Sequence, residues 1–221
     1  MRDFHEMLRR GTRTEARFDG ECRRAGFTTL WIAQASPAGS ASSRPVPLMT
    51  PDGPVAAADF LVFDGARRYW VDVKEKSAPS WSLRRRFWSH IVNADHLTSA
   101  LRSQRDTAVP VVFVLYVVHA PFEDGTTGAE VTTHCDPTPR WMAAAAVEVA
   151  AAAFYSPRYH DGRGGFVFEE STLEPLPVNS RALDWKRWLQ RAHDRAGGKA
   201  QAARALDALE VMSGRDGGAH A

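Results

Sequence analysis

The stretch that decides the fold is ADFLVFDGARRYWVDVKEK, residues 58–76. Two β-prone runs, near Asp59–Phe63 and Arg68–Lys74, flank Asp64-Gly65-Ala66-Arg67, and a short glycine-bearing link between such runs predicts a hairpin. Side chains alternate faces along a strand, so Tyr69, Val71 and Val73 point one way and Trp70, Asp72 and Lys74 the other. If Gly65-Ala66 is a two-residue turn, with glycine first as type II′ requires, Asp59 stands across from Asp72. A three- or five-residue loop would shift the register by one and break that pairing. Opposed carboxylates, with Cβ atoms roughly 4.5–5.5 Å apart, destabilise a sheet unless something positive offsets them. A divalent cation is the natural candidate, because hard cations take carboxylate and carbonyl oxygens and keep reactive waters. Lys74 reaches the same region and could orient a water or meet the charge of a phosphate. The alternative is an exposed sheet face on which Lys74 merely neutralises two surface acids. Against it, Asp59 precedes Phe-Leu-Val-Phe and Asp72 lies between two valines, in strands that read as buried, where aspartate is rare without a partner.

Outward from the hairpin, Phe18, Cys22 and Ala25 recur at helical spacing within Thr12–Ala25, with Gly26 as the stop, and FTTLWIA (27–33) reads as a strand. Residues 35–55, rich in Pro, Gly, Ser and Ala, read as a loop. Ser77–His90 carries two tryptophans and Arg84-Arg85-Arg86, and a helix then runs from near Asn93 to before Val109, with Asn93 as N-cap, Asp95 in the first turn and Leu97 and Leu101 on the core side. Val109–Val118 is continuously apolar over strand length, as in a strand covered on both faces. Trp141–Tyr155 reads as an Ala-rich helix, Gly165–Leu176 as containing a further strand, and Leu183–Ala196 as an amphipathic helix. The expectation is one mixed α/β domain over residues 1–196, then a flexible C-terminal tail, 197–221, with one possible short helix.

A chain of 221 residues, 44% of them hydrophobic, suffices for one substantial core. No apolar stretch has the length and composition of a membrane-spanning helix, and MRDFHEMLRR lacks the apolar region of a secretory signal, so a cytoplasmic protein without a membrane partner is expected. Cys22 and Cys135 lie in no metal-binding spacing and read as ordinary thiols. The net charge of +2 hides an asymmetry: residues 1–110 carry 17 basic and 12 acidic side chains, the remainder 11 and 14. A basic half suits a polyanion, although 24 of the 28 basic residues are arginine, and codon composition explains that equally well.

On residues 58–76 the chain resembles the PD-(D/E)XK superfamily, the restriction-endonuclease-like nucleases: Asp59 takes the first acidic position, Asp72 the second, Val73 the variable one and Lys74 the lysine. The order of elements over residues 12–118 agrees: helix, strand, acidic hairpin, helix, apolar central strand. The resemblance implies a three-layer core with a mixed sheet flanked by helices. It also implies a nuclease using Mg2+ or Mn2+, in which Asp59, Asp72 and the Val73 carbonyl hold metal and Lys74 positions the nucleophile. Nucleic acid would be the partner, DNA before RNA, with a homodimer possible. An acid on the first helix often assists the metal in this family, and Glu15 stands in that place; Thr12-Arg13-Thr14-Glu15 also reads as a capping box, so both roles stay open. The family's proline before the first aspartate is Ala58 here, while Pro51-Asp52 occurs upstream in a loop. Lys76, Trp81, Arg84, Arg85, Arg86, His96 and Gln104 are the candidates for contacting nucleic acid, through charge, stacking or hydrogen bonds. The competing reading is a catalytically silent nucleic-acid-binding or assembly protein that keeps the fold.

Overall fold

The computed structural model describes residues 4–32, 47–76, 80–82, 87–118, 139–157, 164–176 and 180–216. Helix α1 (Phe4–Arg24) packs Phe18 and Cys22 into the core. It ends at Gly26, whose φ of +83° only glycine adopts freely, with the Phe27 amide bonded back to the Cys22 carbonyl at 3.0 Å. Thr12 lies within this helix and not at its start, so the capping box is excluded and Glu15 is free of that role.

Six strands form the central sheet: β1 (Thr28–Trp31), β4 (Phe60–Asp64), β5 (Arg67–Lys76), β8 (Val111–Val117), β9 (Arg140–Ala145) and β12 (Glu174–Pro175), in that spatial order. All neighbours are antiparallel except β5 and β8, which run parallel. The connection between those two contains α2 (Ala94–Thr107), as a parallel crossover requires. The β4–β5 turn is the tight one: Gly65 has φ +60° and Asp64 pairs with Arg67. Strand β8 is the apolar centre. Val112 and Val114 face α1 and α4 (Ala182–Arg195), alongside Trp185 and Trp188, while Val111, Phe113 and Leu115 face α2 with Leu97 and Leu101. This is the expected mixed α/β arrangement, a mixed sheet with helices on both faces.

Several expectations are corrected. Residues 35–55 are not all loop, since β2 (Pro47–Thr50) and β3 (Gly53–Ala56) pair in a two-stranded unit. The helix over Trp141–Tyr155 is in fact β9, a single short helix α3 (Ala146–Ala152) and β10 (Phe154–Ser156). Pairing with β8 buries Ala143, Ala144 and Ala145 on both faces, and tertiary context overrides alanine's helix preference. Strand β11 (Gly165–Glu169) joins β10, β7 (Phe87–Asn93) and β6 (Ser80–Ser82) in a second sheet, while β12 forms an edge of the central one. The tail, read as loosely held, contains α5 (Lys199–Asp216), with Ala202, Leu206 and Leu209 buried against α2 and α3. Burying each leucine contributes about 1.5–3 kcal/mol.

Candidate active site

The backbone ladder between β4 and β5 runs in the anticipated register but stops at Phe60–Val71, one pair before Asp59. Asp59 turns its carboxylate onto the neighbouring strand, where Oδ2 accepts the Val73 amide at 2.7 Å, while its own carbonyl accepts the Ile32 amide at 2.9 Å. The carboxylate thus takes the place of the next ladder bond and the strands part around it. In a strand the N–H and C=O of one residue leave on the same side. The Val73 carbonyl is therefore directed into the same gap as its amide.

Lys74 Nζ lies 2.6 Å from Asp72 Oδ1 and 3.4 Å from Asp59 Oδ2. The side chains of Asp59 and Asp72 are 8% and 13% exposed, that of Lys74 33%. The repulsion anticipated between the two acids is therefore already offset by Lys74 without a cation. Burial, reinforced by Asp72, pushes the Asp59 carboxyl well above the usual carboxylate range. Burial works against ionised Asp72 too, but the Lys74 ammonium and a hydrogen bond with Asp59 together outweigh it and hold that carboxyl low. For Lys74 burial opposes the charge, and Asp72 and Asp59 more than restore it, so the amine stays protonated. Glu15 belongs to the same electrostatic neighbourhood: burial raises its pKa, against the pull of Lys74, and it accepts a hydrogen bond from Trp31.

These groups open onto a cleft of about 80 Å³ lined by Ala56, Ala58, Asp59, Asp72, Lys74, His96, Ser99 and Ser103. That exceeds by several times the roughly 10–15 Å³ one water needs. Among the described residues no three His, Cys, Asp or Glu side chains converge as a metal cluster. The donors that do converge are two carboxylates and the Val73 carbonyl side of β5, with Glu15 further off. All are hard oxygens, a set that fits Mg2+ or Mn2+ and not a soft ion. A buried carboxyl disfavoured in its charged form would gain from a cation.

The other sequence candidates separate. His96 lies at the exposed start of α2 and borders this cleft and a second one beside it. Lys76, on the same face as Lys74, donates to the Ile91 carbonyl at 3.0 Å and lines the second cleft. Gln104 is corrected: it is 1% exposed, its Nε2 donates to the Ala196 carbonyl at 2.7 Å and its Oε1 accepts the Val111 amide at 3.0 Å, so it braces the core and cannot meet a substrate. Trp81 pairs with Trp88 in the β6–β7 ladder. Arg84, Arg85 and Arg86 lie outside the described residues. Glu75 points to the opposite face, bonded to Arg10 and Thr14. Asp52 is an exposed partner of Arg105, so Pro51-Asp52 does not supply the motif. Sequence reasoning missed Ser99 and Ser103. They follow His96 at helical spacing of three and seven, and that stripe was the available signal.

No protein-family model matches the chain, and no curated protein matches it in sequence. Among solved structures it is similar to Hjc, a Holliday junction resolvase of the archaeal hyperthermophile Archaeoglobus fulgidus, at 14% identity and a TM-score of 0.41, over 73% of this chain and 90% of that one. No described helix is long and apolar enough to cross a membrane. The chemistry of the cleft accordingly rests on its own residues.

Proposed function

We propose that the chain is a metal-dependent nuclease acting on nucleic acid, DNA in the first instance. The observation that carries this reading is the buried acid pair at the parting of β4 and β5, with Lys74 against it and an open cleft in front. Asp59, Asp72 and the Val73 carbonyl would hold Mg2+ or Mn2+, with Glu15 as the more distant acid. The bound ion would supply Lewis acidity and a reactive water. Asp59 and Asp72 fix the position of positive charge in the cleft. Among the described residues Lys74 is the ammonium within reach of both, placed to orient a water or to balance charge gathering on a phosphate oxygen. Lys76 stands on the rim toward a polyanion, and beside it His96, whose imidazole burial holds below its usual pKa, offers a neutral hydrogen-bonding group.

One observation favours a second reading, a silent nucleic-acid-binding protein: Lys74 pairs with both acids and Asp59, pushed up to about 8, keeps its proton at neutral pH, so the site is internally neutralised as it stands. Labelled DNA and RNA incubated with Mg2+, Mn2+ or EDTA separate the two. Cleavage that needs metal and is lost in Asp72→Ala supports the enzyme; binding without cleavage under every condition supports the silent reading.

A further inference from the structure

Past Lys74 and His96 the catalytic cleft adjoins a second hollow of about 150 Å³, between the two sheets. Phe113 of β8, Phe168 of β11 and Ile91 of β7 form its apolar walls, and Asn93, Lys76 and His96 supply its polar groups. Its size is about half the ~300 Å³ at which sites for drug-sized ligands begin, so it admits one flat ring system and not a dinucleotide. The two phenylalanines, 4% and 3% exposed, close the hollow as apolar wall. Asn93 supplies the edge. It occupies the N-cap of α2, where asparagine ordinarily spends its side chain on the helix amides, yet it makes no such bond. Its half-buried amide, donor and acceptor together, borders the hollow instead.

We infer that this hollow receives one unpaired nucleobase adjoining the phosphate that Lys74 and a cation on Asp59 and Asp72 would hold. The preferred substrate would then be nucleic acid with an unpaired nucleotide beside the cleaved bond, and not continuous duplex. Lys74 and His96 border both hollows, which suits a phosphate and a base joined through a single sugar. The asparagine amide has the donor and acceptor pair that reads a base edge. A base inside intact duplex is stacked on both sides and would have to leave the stack to enter. The inference rests on the nuclease reading for the position of the phosphate, but its test needs no cleavage.

The test measures binding in EDTA, by fluorescence anisotropy, of three probes made in both DNA and RNA: a duplex, the same duplex with a one-nucleotide bulge, and that bulge with an abasic residue. Bulge and abasic bulge carry the same phosphates, so their difference reports the base alone. The base-bearing bulge should bind roughly tenfold tighter than the abasic one, the size expected from enclosing a single base between apolar walls. That preference should shrink in Asn93→Ala, which alters a partly exposed side chain, and vanish in Ile91→Trp, which fills the hollow. Equal affinity for the two bulges in both backbones, no binding of any probe, or a preference that survives in both variants would overturn the inference. Base preference without metal-dependent cleavage would keep the pocket and discard the nuclease; cleavage without base preference would do the reverse.

Discussion

Replacing Lys74 with methionine keeps the length of the side chain and removes the ammonium 2.6 Å from Asp72 and 3.4 Å from Asp59. Deleting one partner of a buried ion pair costs about 3–5 kcal/mol. Because the Lys74 side chain is 33% exposed, water screens part of the loss, and about 2–3 kcal/mol is the expected deficit. For a chain of this size each kcal/mol moves Tm by about 2–4 °C, so the metal-free variant should melt about 4–12 °C below wild type. Burial and Asp72 push Asp59 up to about 8, so at neutral pH it can hold a proton and limit the damage; the deficit should widen in more alkaline buffer. Divalent ions should then stabilise the variant more than wild type, since no ammonium competes for the carboxylates. A ligand at a hundredfold its Kd adds about 2.7 kcal/mol. Thermal melts in EDTA and in Mg2+, Mn2+ or Ca2+ measure all of this. A variant that melts with wild type in EDTA, or gains nothing extra from any ion, would refute the view that Lys74 occupies the place of a cation.

The remaining predictions concern the acids, the pH and the core. Asp72→Ala should abolish metal-dependent cleavage while circular dichroism shows the fold intact; residual full activity would move the site elsewhere. Below a pH of about 8 a divalent ion must displace the Asp59 proton, so metal affinity by calorimetry should climb between about pH 6 and 8 and then level off. The metal-free fold responds in the opposite sense: for an acid with a raised folded pKa the contribution is full below its unfolded value of 3.8 and is lost as pH rises toward 8. Flat affinity across that window would argue against Asp59 as a ligand. Gln104→Leu strands the Val111 amide and the Ala196 carbonyl, at about 1–3 kcal/mol for each buried group left unpaired, and should lower Tm without changing nucleic-acid affinity.

The hairpin was legible because its information is local. Gly65 takes the positive φ that the turn demands, and alternation along β5 put Asp72 and Lys74 on one face. The apolar run at β8 and the amphipathic helix at Trp185 and Trp188 were legible for the same reason. What failed depended on partners distant in sequence. Ala143–Ala145 read as helix because nothing nearby reveals that β8 will cover them. Gln104 read as a polar helix flank because its two partners, Val111 and Ala196, meet it only in the folded chain. The tail read as loose because alanine-rich spacing weakens the apolar stripe that Ala202, Leu206 and Leu209 bury. Thr12 mimicked a cap because Thr12 and Glu15 follow Gly11 at capping-box spacing, although Phe4, Met7 and Leu8 already stand at helical spacing ahead of it.

The end of the β4–β5 ladder at Phe60–Val71 links fold to chemistry. A continued ladder would have satisfied the Val73 amide and carbonyl with backbone and left Asp59 as an ordinary strand residue. Instead one backbone bond is exchanged for a bond to a carboxylate, which costs little, since the amide remains paired. The exchange fixes the buried Asp59 rigidly against β5, within reach of Lys74 and on the side where the Val73 carbonyl leaves the strand. Two acids held that way without Lys74 or a cation would be a net liability, and an ion pair that only stabilised the sheet would do as well with apolar residues of similar size. The geometry is better accounted for by the proposed site, which the Asp59 proton and Lys74 together keep neutral and in which a cation would take over the carboxylates and a phosphate the ammonium.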